Sequence, residues 1–225
     1  MSLDKLKSRL SVKLDQLAST GASKRDERVI TGRQPPRGGF GARYFLKGYE
    51  GREFLRMNAN AYLGLNFHPH VIEAEEKAAR RFGTGPGAVR FISGTFEPHL
   101  RLEESLAAFH GREAGMLFSA AYATVMGVLP QLITNETLVV SDALNHNSII
   151  NAIRLSQPAA REVYDHLDTT RLCEIMEQHQ GKVKRVIITT DGVFSMRGDF
   201  APLDQISAIS ERYQACFAEG VITVV

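Results

Sequence analysis

Three segments of the sequence place small or polar residues where a predicted strand ends and a helix begins. The first is residues 118–124, which contains Ala121 and Tyr122. Small residues there let backbone N–H groups approach a phosphate, and the positive end of a helix dipole favours an anion at that place. An ordinary turn between a strand and a helix has the same composition, so both interpretations of this segment stay open.

The second segment, residues 141–150, places His146 after a predicted strand and before a helix. An imidazole at that place can stack on a flat heteroaromatic ligand. The segment can equally be a helix cap, with Asn147 or Ser148 as the capping residue and His146 merely exposed. The spacing does not decide between these two interpretations.

The third segment, residues 190–199, has Asp191 directly after a predicted strand and Ser195 in a loop bounded by glycines. Both side chains can hydrogen-bond a ligand, or they can satisfy backbone groups in local turns. Ligand sites in open α/β sheets gather beyond the carboxyl ends of strands. The three segments together therefore suit an anionic aromatic ligand.

Other candidate sites are weaker. His68 and His70 flank Pro69 without a third ligand at metal spacing, which favours a surface loop over a metal site. The glycines of residues 83–87 follow a helix rather than a strand, so they do not fit a dinucleotide-binding fingerprint. Cys173 and Cys216 stand at helical spacing from apolar residues and are predicted to be buried free thiols.

The composition limits the classes of function. A chain with 44% hydrophobic and 23% charged residues has the balance of an ordinary globular protein. Its net charge of +2, with lysines and arginines dispersed, argues against a dedicated nucleic-acid or membrane surface. The sequence has no apolar run long enough to cross a bilayer, and its polar start does not resemble a secretory signal. We therefore expect a cytoplasmic protein.

The second half of the sequence alternates predicted strands and helices. Such alternation is typical of an α/β fold with a mostly parallel sheet covered by helices on both faces. The strands are expected at residues 115–119, 137–141, 162–165, 185–190 and 221–225, and the helices at residues 122–132, 148–155, 169–180 and 203–213. Two further helices are expected earlier, at residues 69–82 and from Pro98 to near Phe109.

Residues 1–60 are predicted to form an N-terminal arm, and residues 61–225 a larger domain. The arm begins with a helix whose apolar face must be covered by the body of the protein or by a second subunit, since five leucines recur at three- and four-residue steps: Leu3, Leu6, Leu10, Leu14 and Leu17. Residues 21–41 are rich in glycine and proline and are predicted to be an extended linker. Residues 43–47 and 52–56 flank glycines and indicate a hairpin.

Four motifs in the same order resemble those of the α-oxoamine synthase family, whose members are acyltransferases that depend on pyridoxal 5'-phosphate (PLP). The resemblance extends from about Tyr44 to the end of the sequence, and its motifs are residues 60–65, 88–95 with His99, Leu102 and Glu103, 141–150, and 190–198. It implies the fold-type I PLP-transferase fold, PLP as cofactor, a homodimer, and the condensation of a small amino acid with an acyl-CoA.

The resemblance also implies roles for single residues. His146 corresponds to the histidine that stacks on the pyridine ring of PLP. Ala121 and Tyr122 correspond to the pair whose backbone amides hold the phosphate. Ser195 corresponds to the serine near the phenolic oxygen of PLP, and Asn60 to a residue near the substrate carboxylate.

Asp191 corresponds to an acidic position with a supporting role in the cofactor site. Residues 88–95 and 141–156 are most similar to glycine C-acetyltransferases, which implies glycine as the amino acid. Family members that make 8-amino-7-oxononanoate, 5-aminolevulinate or the sphingoid precursor share most of these motifs, so the resemblance leaves the substrate open.

Two features of the family are missing from the sequence. Its Asp-x-x-His motif is expected directly after the strand that ends at Val225, and the lysine that forms the Schiff base is expected further on. Lys182 and Lys184 precede a strand instead of following one. We therefore expect this chain to be the front part of a larger enzyme and to be inactive alone. The alternative is a non-catalytic module that pairs with another chain.

Overall fold

A computed structural model of the chain describes residues 3–24 and 27–225. The chain divides into two compact units, Met1–Phe96 and Glu97–Val225. The predicted division after Asn60 separates an N-terminal arm from a larger domain and stays a prediction.

The described residues of the first unit form two α-helices, a short 3-10 helix and a small sheet. Its elements are α1 (Asp4–Ser19), β1 (Ile30–Gln34), β2 (Arg43–Leu46) and α2 (Pro69–Phe82). The start of α2 at Pro69 confirms the prediction, because proline lacks an N–H that would have no partner in the first turn of a helix. One π-helical turn, Arg90–Gly94, follows later in this unit.

The predicted linker at residues 21–41 is wrong in part, because it contains β1. This strand pairs antiparallel with β2, with Gln34 opposite Arg43. The predicted hairpin is reduced to one bridge, in which Tyr44 and Phe54 exchange two N–H···O bonds of 2.9 Å. The strand β1 could not be recognised in the sequence, because its residues do not alternate between apolar and polar and its glycine is unusual in a strand.

The leucine stripe of α1 is exposed. The helix has no buried residue, and the exposed fractions of its four leucines run from 37% at Leu17 to 53% at Leu6; Leu3, directly before the helix, is 63% exposed. The predicted helix is confirmed, and nothing in the described chain covers its apolar face.

The second unit has a four-stranded parallel sheet in the order β4-β3-β5-β6. This confirms the predicted α/β class. The elements are α3 (Glu97–Phe109), α4 (Ala121–Leu132), β3 (Thr137–Asp142), α5 (Asn147–Leu155), β4 (Ala160–Tyr164), α6 (Thr169–His179), β5 (Arg185–Thr189), α7 (Leu203–Tyr213) and β6 (Val221–Val224).

The strand predicted at residues 115–119 is wrong. The backbone N–H of Leu117 donates to the Glu103 carboxylate of α3 at 2.9 Å, so this N–H does not join a sheet ladder. Gly115 lies so close to α3 that a Cβ there would come within 2.8 Å of the Glu103 carbonyl oxygen. The segment is therefore held against α3 instead of extending the sheet.

Alternate residues of the strands point to opposite faces of the sheet, and each face has its own core. Leu138 and Val140 of β3 pack with buried residues of α6 and α7, whereas Val139 packs with buried residues of α4 and α5. Helices therefore cover both faces, as predicted. Of the two cysteines, Cys173 is half-buried against the first core and Cys216 is exposed, so the predicted burial is wrong for Cys216.

A side-chain cap fixes the start of α6. The Asp168 carboxylate accepts a hydrogen bond of 2.9 Å from the Arg171 N–H, which would otherwise lack a helical partner. We expect Asp168→Ala to lower the free energy of unfolding by about 1 kcal/mol in urea denaturation. Asp165→Ala, at an exposed position of the preceding loop, is the matched control and should have no measurable effect. Equal losses in the two variants would contradict the capping role.

Within the described residues, no helix is long and apolar enough to cross a membrane.

Candidate functional site

The sheet has a topological switch point between β3 and β5. These strands are neighbours, but β3 is connected through α5 to β4 on one side, and β5 through α7 to β6 on the other. Open α/β sheets bind ligands in the crevice beyond the strand ends at such a point. Two of the predicted site segments, those containing His146 and Asp191, follow these two strands.

Asn145 ties the two strand ends together. Its side chain is buried, and its Nδ2 donates to Ser141 Oγ at 2.9 Å and to the Thr189 carbonyl oxygen at 2.8 Å. Its Oδ1 accepts from the Asp191 N–H at 2.9 Å. The next N–H, that of His146, donates to Asp191 Oδ2 at 2.7 Å. These bonds hold His146 and Asp191 side by side at the switch point.

The sequence interpretation missed Asn145. A buried amide can donate and accept at once, which suits it to join two backbone segments. The available signal was a polar residue directly before His146 in a segment already chosen as a site, but the spacing alone could not show that Asn145 points inward.

His146 is itself the capping residue of α5. Its Nδ1 accepts a hydrogen bond of 3.1 Å from the Ser148 N–H and lies 2.8 Å from Ser148 Oγ. The interpretation of this segment as a helix cap, one of the two left open, is therefore correct for the segment but wrong for the capping residue, which is His146 and not Asn147 or Ser148. Because Nδ1 is an acceptor, a neutral ring carries its proton on Nε2. The ring is held at one edge and exposed elsewhere, and it can both cap the helix and stack on a ligand.

A cleft of about 340 Å³ lies at the carboxyl edge of the sheet. His146, Asp191 and the first residues of α4 line it together with an apolar wall that includes Val125, Val128, Ile149 and Val224. The apolar wall suits a flat ring, and the polar groups at its rim fix the orientation of such a ring.

The start of α4 opens onto the same cleft. Ala121 and Tyr122 line the cleft, and within the described chain no side chain caps this helix at Ala120. The first N–H groups of a helix lack helical partners and attract anions, so a phosphate can accept from them. The Tyr122 hydroxyl also accepts from Asn151 Nδ2 at 2.8 Å, which ties α4 to α5.

The structure thus brings four of the predicted residues to one cleft: Ala121, Tyr122, His146 and Asp191. Ser195 is exposed in the loop after β5 and is not among the residues that line the cleft. Asn60 is exposed in the first unit. The roles expected for these six residues stay predictions.

Two lysines belong to the second unit, and both lie before β5. Lys184 pairs with Glu136, which precedes β3, at 2.7 Å. Both lysines are therefore at the amino edge of the sheet, and the cleft is at the carboxyl edge. They are not candidates for covalent chemistry in the cleft.

The rings of His68 and His70 lie 5.1 Å apart at the start of α2. Across residues 3–24 and 27–225, no group of three or more potential metal-binding side chains comes together.

Residues 52–218 match the family described as aminotransferase class I and II. The 8-amino-7-oxononanoate synthase of Geobacter sulfurreducens is 46% identical to the chain over 167 residues, which are 74% of this chain and 42% of that protein. The enzyme of the same name from Geobacter metallireducens is 39% identical over 202 residues, 90% of this chain and 49% of that protein. The chain thus spans less than half of the length of these relatives.

Among solved structures, the fold is similar to that of a serine palmitoyltransferase from S. paucimobilis with bound PLP and myriocin. The TM-score is 0.80 at 23% identity, over 99% of this chain and 52% of that chain. At this identity the likeness shows the fold alone, and it confirms the predicted fold-type I PLP-transferase fold.

Proposed function

Because the chain belongs to the α-oxoamine synthase family, within the class I and II aminotransferases, we propose that it forms the front part of a PLP-dependent acyltransferase. The proposed reaction condenses a small amino acid with an acyl-CoA thioester and gives an α-amino ketone; it releases CoA and, in most members of the family, the amino acid carboxylate as carbon dioxide. The single observation that carries this proposal is the cleft at the switch point, where the uncapped start of α4, the His146 ring and the Asp191 carboxylate meet.

The chemistry of this set of groups fits PLP. In this proposal the N–H groups of Ala121 and Tyr122, at the uncapped start of α4, would hold the anionic phosphate, and the exposed face of His146 would support the pyridine ring. The apolar wall would exclude water from one side of the bound ring. Asp191 holds the backbone of His146 and so keeps the imidazole in place. When bound, PLP acts as the electron sink that stabilises a carbanion at the amino acid α-carbon.

The proposal assigns three further roles. Asn60 would contact the substrate carboxylate, and Ser195 the phenolic oxygen of PLP. Since Lys182 and Lys184 lie at the other edge of the sheet, the proposal needs a lysine from elsewhere in the protein to form the Schiff base. We also propose a cytoplasmic homodimer, in which a second subunit would cover the exposed leucine face of α1.

Two amino acids are candidates. The sequence motifs favour glycine, whereas the curated relatives at 39% and 46% identity are 8-amino-7-oxononanoate synthases. That product has its amino group beside a terminal methyl group, which corresponds to alanine after loss of carbon dioxide. The rest of the product is an acyl chain that ends in a carboxylate. We therefore propose alanine with such an acyl-CoA as the first pair to test, and glycine with acetyl-CoA as the second.

The experiment is a CoA-release assay on the complete natural protein that contains these residues. Alanine and glycine are each paired with pimeloyl-CoA and acetyl-CoA, and thiol release is followed with and without added PLP. We expect release that requires both PLP and the amino acid, with one pair clearly preferred. A protein that binds no PLP, or that releases no CoA with any pair, would contradict the proposed function.

A further inference from the structure

His166, in the loop between β4 and α6, bridges two carboxylates. Its Nδ1 lies 2.9 Å from Asp142 Oδ1, and its Nε2 lies 3.1 Å from Asp199 Oδ2. Asp142 is the buried last residue of β3, and its carboxylate also accepts from the N–H groups of Leu144 and Leu167. Asp199 belongs to the loop of residues 191–200, which connects β5 to α7. The histidine therefore links this loop to the end of a central strand.

Both contacts need His166 to be a cation. An ionised carboxylate can only accept, and a neutral imidazole has a single N–H to donate. Burial by itself would lower the pKa of His166, but the hydrogen bonds to Asp142 and Asp199 outweigh burial and raise it above 6.5. The same bond to His166 lowers the pKa of Asp199 below 3.8.

The ring of His166 also packs on the loop through Phe194. The two ring centroids are 4.4 Å apart in an edge-to-face arrangement, and the exposed fraction of Phe194 is 2%. The loop is closed on itself, since the Phe194 N–H donates to the Asp199 carbonyl and the Gly198 N–H to the Phe194 carbonyl. His166 thus holds a compact loop at two points, one apolar and one ionic.

We propose that His166 is a positioning residue that fastens the loop of residues 191–200 to the end of β3. This loop begins at Asp191, which lines the cleft, and it carries Ser195. These contacts of His166 with Asp142, Asp199 and Phe194 form the anchor of the loop. The anchor thereby sets the positions of the Asp191 and Ser195 side chains relative to a ligand. The inference rests on the proposed function where it takes Asp191 and Ser195 to be part of the PLP site.

The charges around the ring predict how the anchor depends on pH. Asp142 faces His166 from β3, Asp199 from the loop, and Arg197 lies 3.5 Å from Asp199. Tyr164 of β4 stays neutral, because burial raises its pKa to about 12. As the pH rises through the pKa of His166, the ring keeps its bond to the buried Asp142, and a lone pair on Nε2 then faces the Asp199 carboxylate.

The directions of the two pKa shifts determine how the stability of these contacts changes with pH. Because the pKa of His166 is raised, its contribution to the stability of the folded chain is complete below pH 6.5. This contribution is lost as the pH rises through the pKa of His166 in the folded state. The lowered pKa of Asp199 means that its stabilisation is present above 3.8 and is lost as the pH falls through the folded-state value. The anchor is therefore strongest between these limits.

Amide hydrogen exchange of this chain tests the anchor without any ligand. In His166→Gln we expect exchange in residues 193–200 to quicken about tenfold at pH 6, because a bond to a charged group is lost. His179→Gln is the matched control, since His179 also faces a carboxylate, that of Glu162 at 3.6 Å, but lies at the end of α6. It should leave exchange in the loop unchanged.

Asp199→Asn separates the anchor from a general packing role. An asparagine amide can donate to an unprotonated Nε2, so the loop should stay fastened above the pKa of His166. After correction for intrinsic exchange, we expect loop exchange to rise with pH above 6.5 in the wild type but not in this variant. Equal pH profiles for wild type and Asp199→Asn, or unchanged loop exchange in His166→Gln, would overturn the proposal.

The PLP affinity of the complete protein, measured for the wild type and the same variants, distinguishes a failure of the proposed function from a failure of the anchor. Failure of the wild type to bind PLP would refute the proposed function, while the exchange profiles would still decide the anchor. Normal PLP binding combined with an unchanged loop in both variants would refute the anchor alone.

Discussion

Replacing Asn145 with alanine is expected to lower the free energy of unfolding by about 3 kcal/mol. The amide joins Ser141 and Thr189 on the two central strands to Asp191 in the loop that follows. Alanine would leave the half-buried Asp191 N–H and the buried Thr189 carbonyl with one partner fewer. Each such loss costs about 1–3 kcal/mol, because a buried polar group cannot recover its bond from water.

The control for this prediction is Asn147→Ala, the same change two residues away at an exposed position. Exposed substitutions usually stay within about 0.5 kcal/mol. Both variants are compared with the wild type by urea denaturation of this chain. If Asn145→Ala cost no more than Asn147→Ala, the role of Asn145 as the link between β3 and β5 would be wrong.

Removing the ring of His146 is expected to weaken PLP binding by the complete protein by about 1–3 kcal/mol, the range for a base stacked on an aromatic side chain. This corresponds to roughly a 5- to 150-fold rise in Kd. The same side chain caps α5 through Nδ1, so a simple alanine variant would lose both functions. Two variants separate them.

His146→Asn keeps a capping side chain and removes the ring, whereas His146→Phe keeps a flat ring and removes the cap. We expect His146→Asn to fold with nearly unchanged stability and to bind PLP weakly. We expect His146→Phe to retain most of the affinity and to lose about 1 kcal/mol of folding free energy. PLP titration and thermal unfolding of both variants check this, and wild-type affinity in His146→Asn would show that the ring does not stack on PLP.

The helices with clear signals could be predicted from the sequence. The helix α2 begins at Pro69 and α7 runs over Leu203–Tyr213, both as expected, because proline at a helix start and apolar residues at helical spacing are local features. The strands β3, β5 and β6 were found within a residue or two, because buried parallel strands are continuous apolar runs.

Elements that depend on a distant partner could not be predicted. The strand β1 has a weak pattern of its own and exists through its pairing with β2. The apolar segment at residues 115–119 looks like a strand, but its Leu117 N–H bonds to Glu103 on α3. In both cases, hydrogen bonds to residues far along the chain decide the conformation, and local patterns do not contain that information.

For the site, the sequence by itself determined the residue types: small residues before α4, His146 after β3 and Asp191 after β5. These positions follow strand ends, and parallel strands align such ends at one edge of a sheet. The tertiary structure alone decided which groups meet. It joined Asn145 to Asp191 and His166 to Asp199 across 46 and 33 residues of chain. Such bonds require strand order and side-chain direction, which arise when the whole sheet is packed.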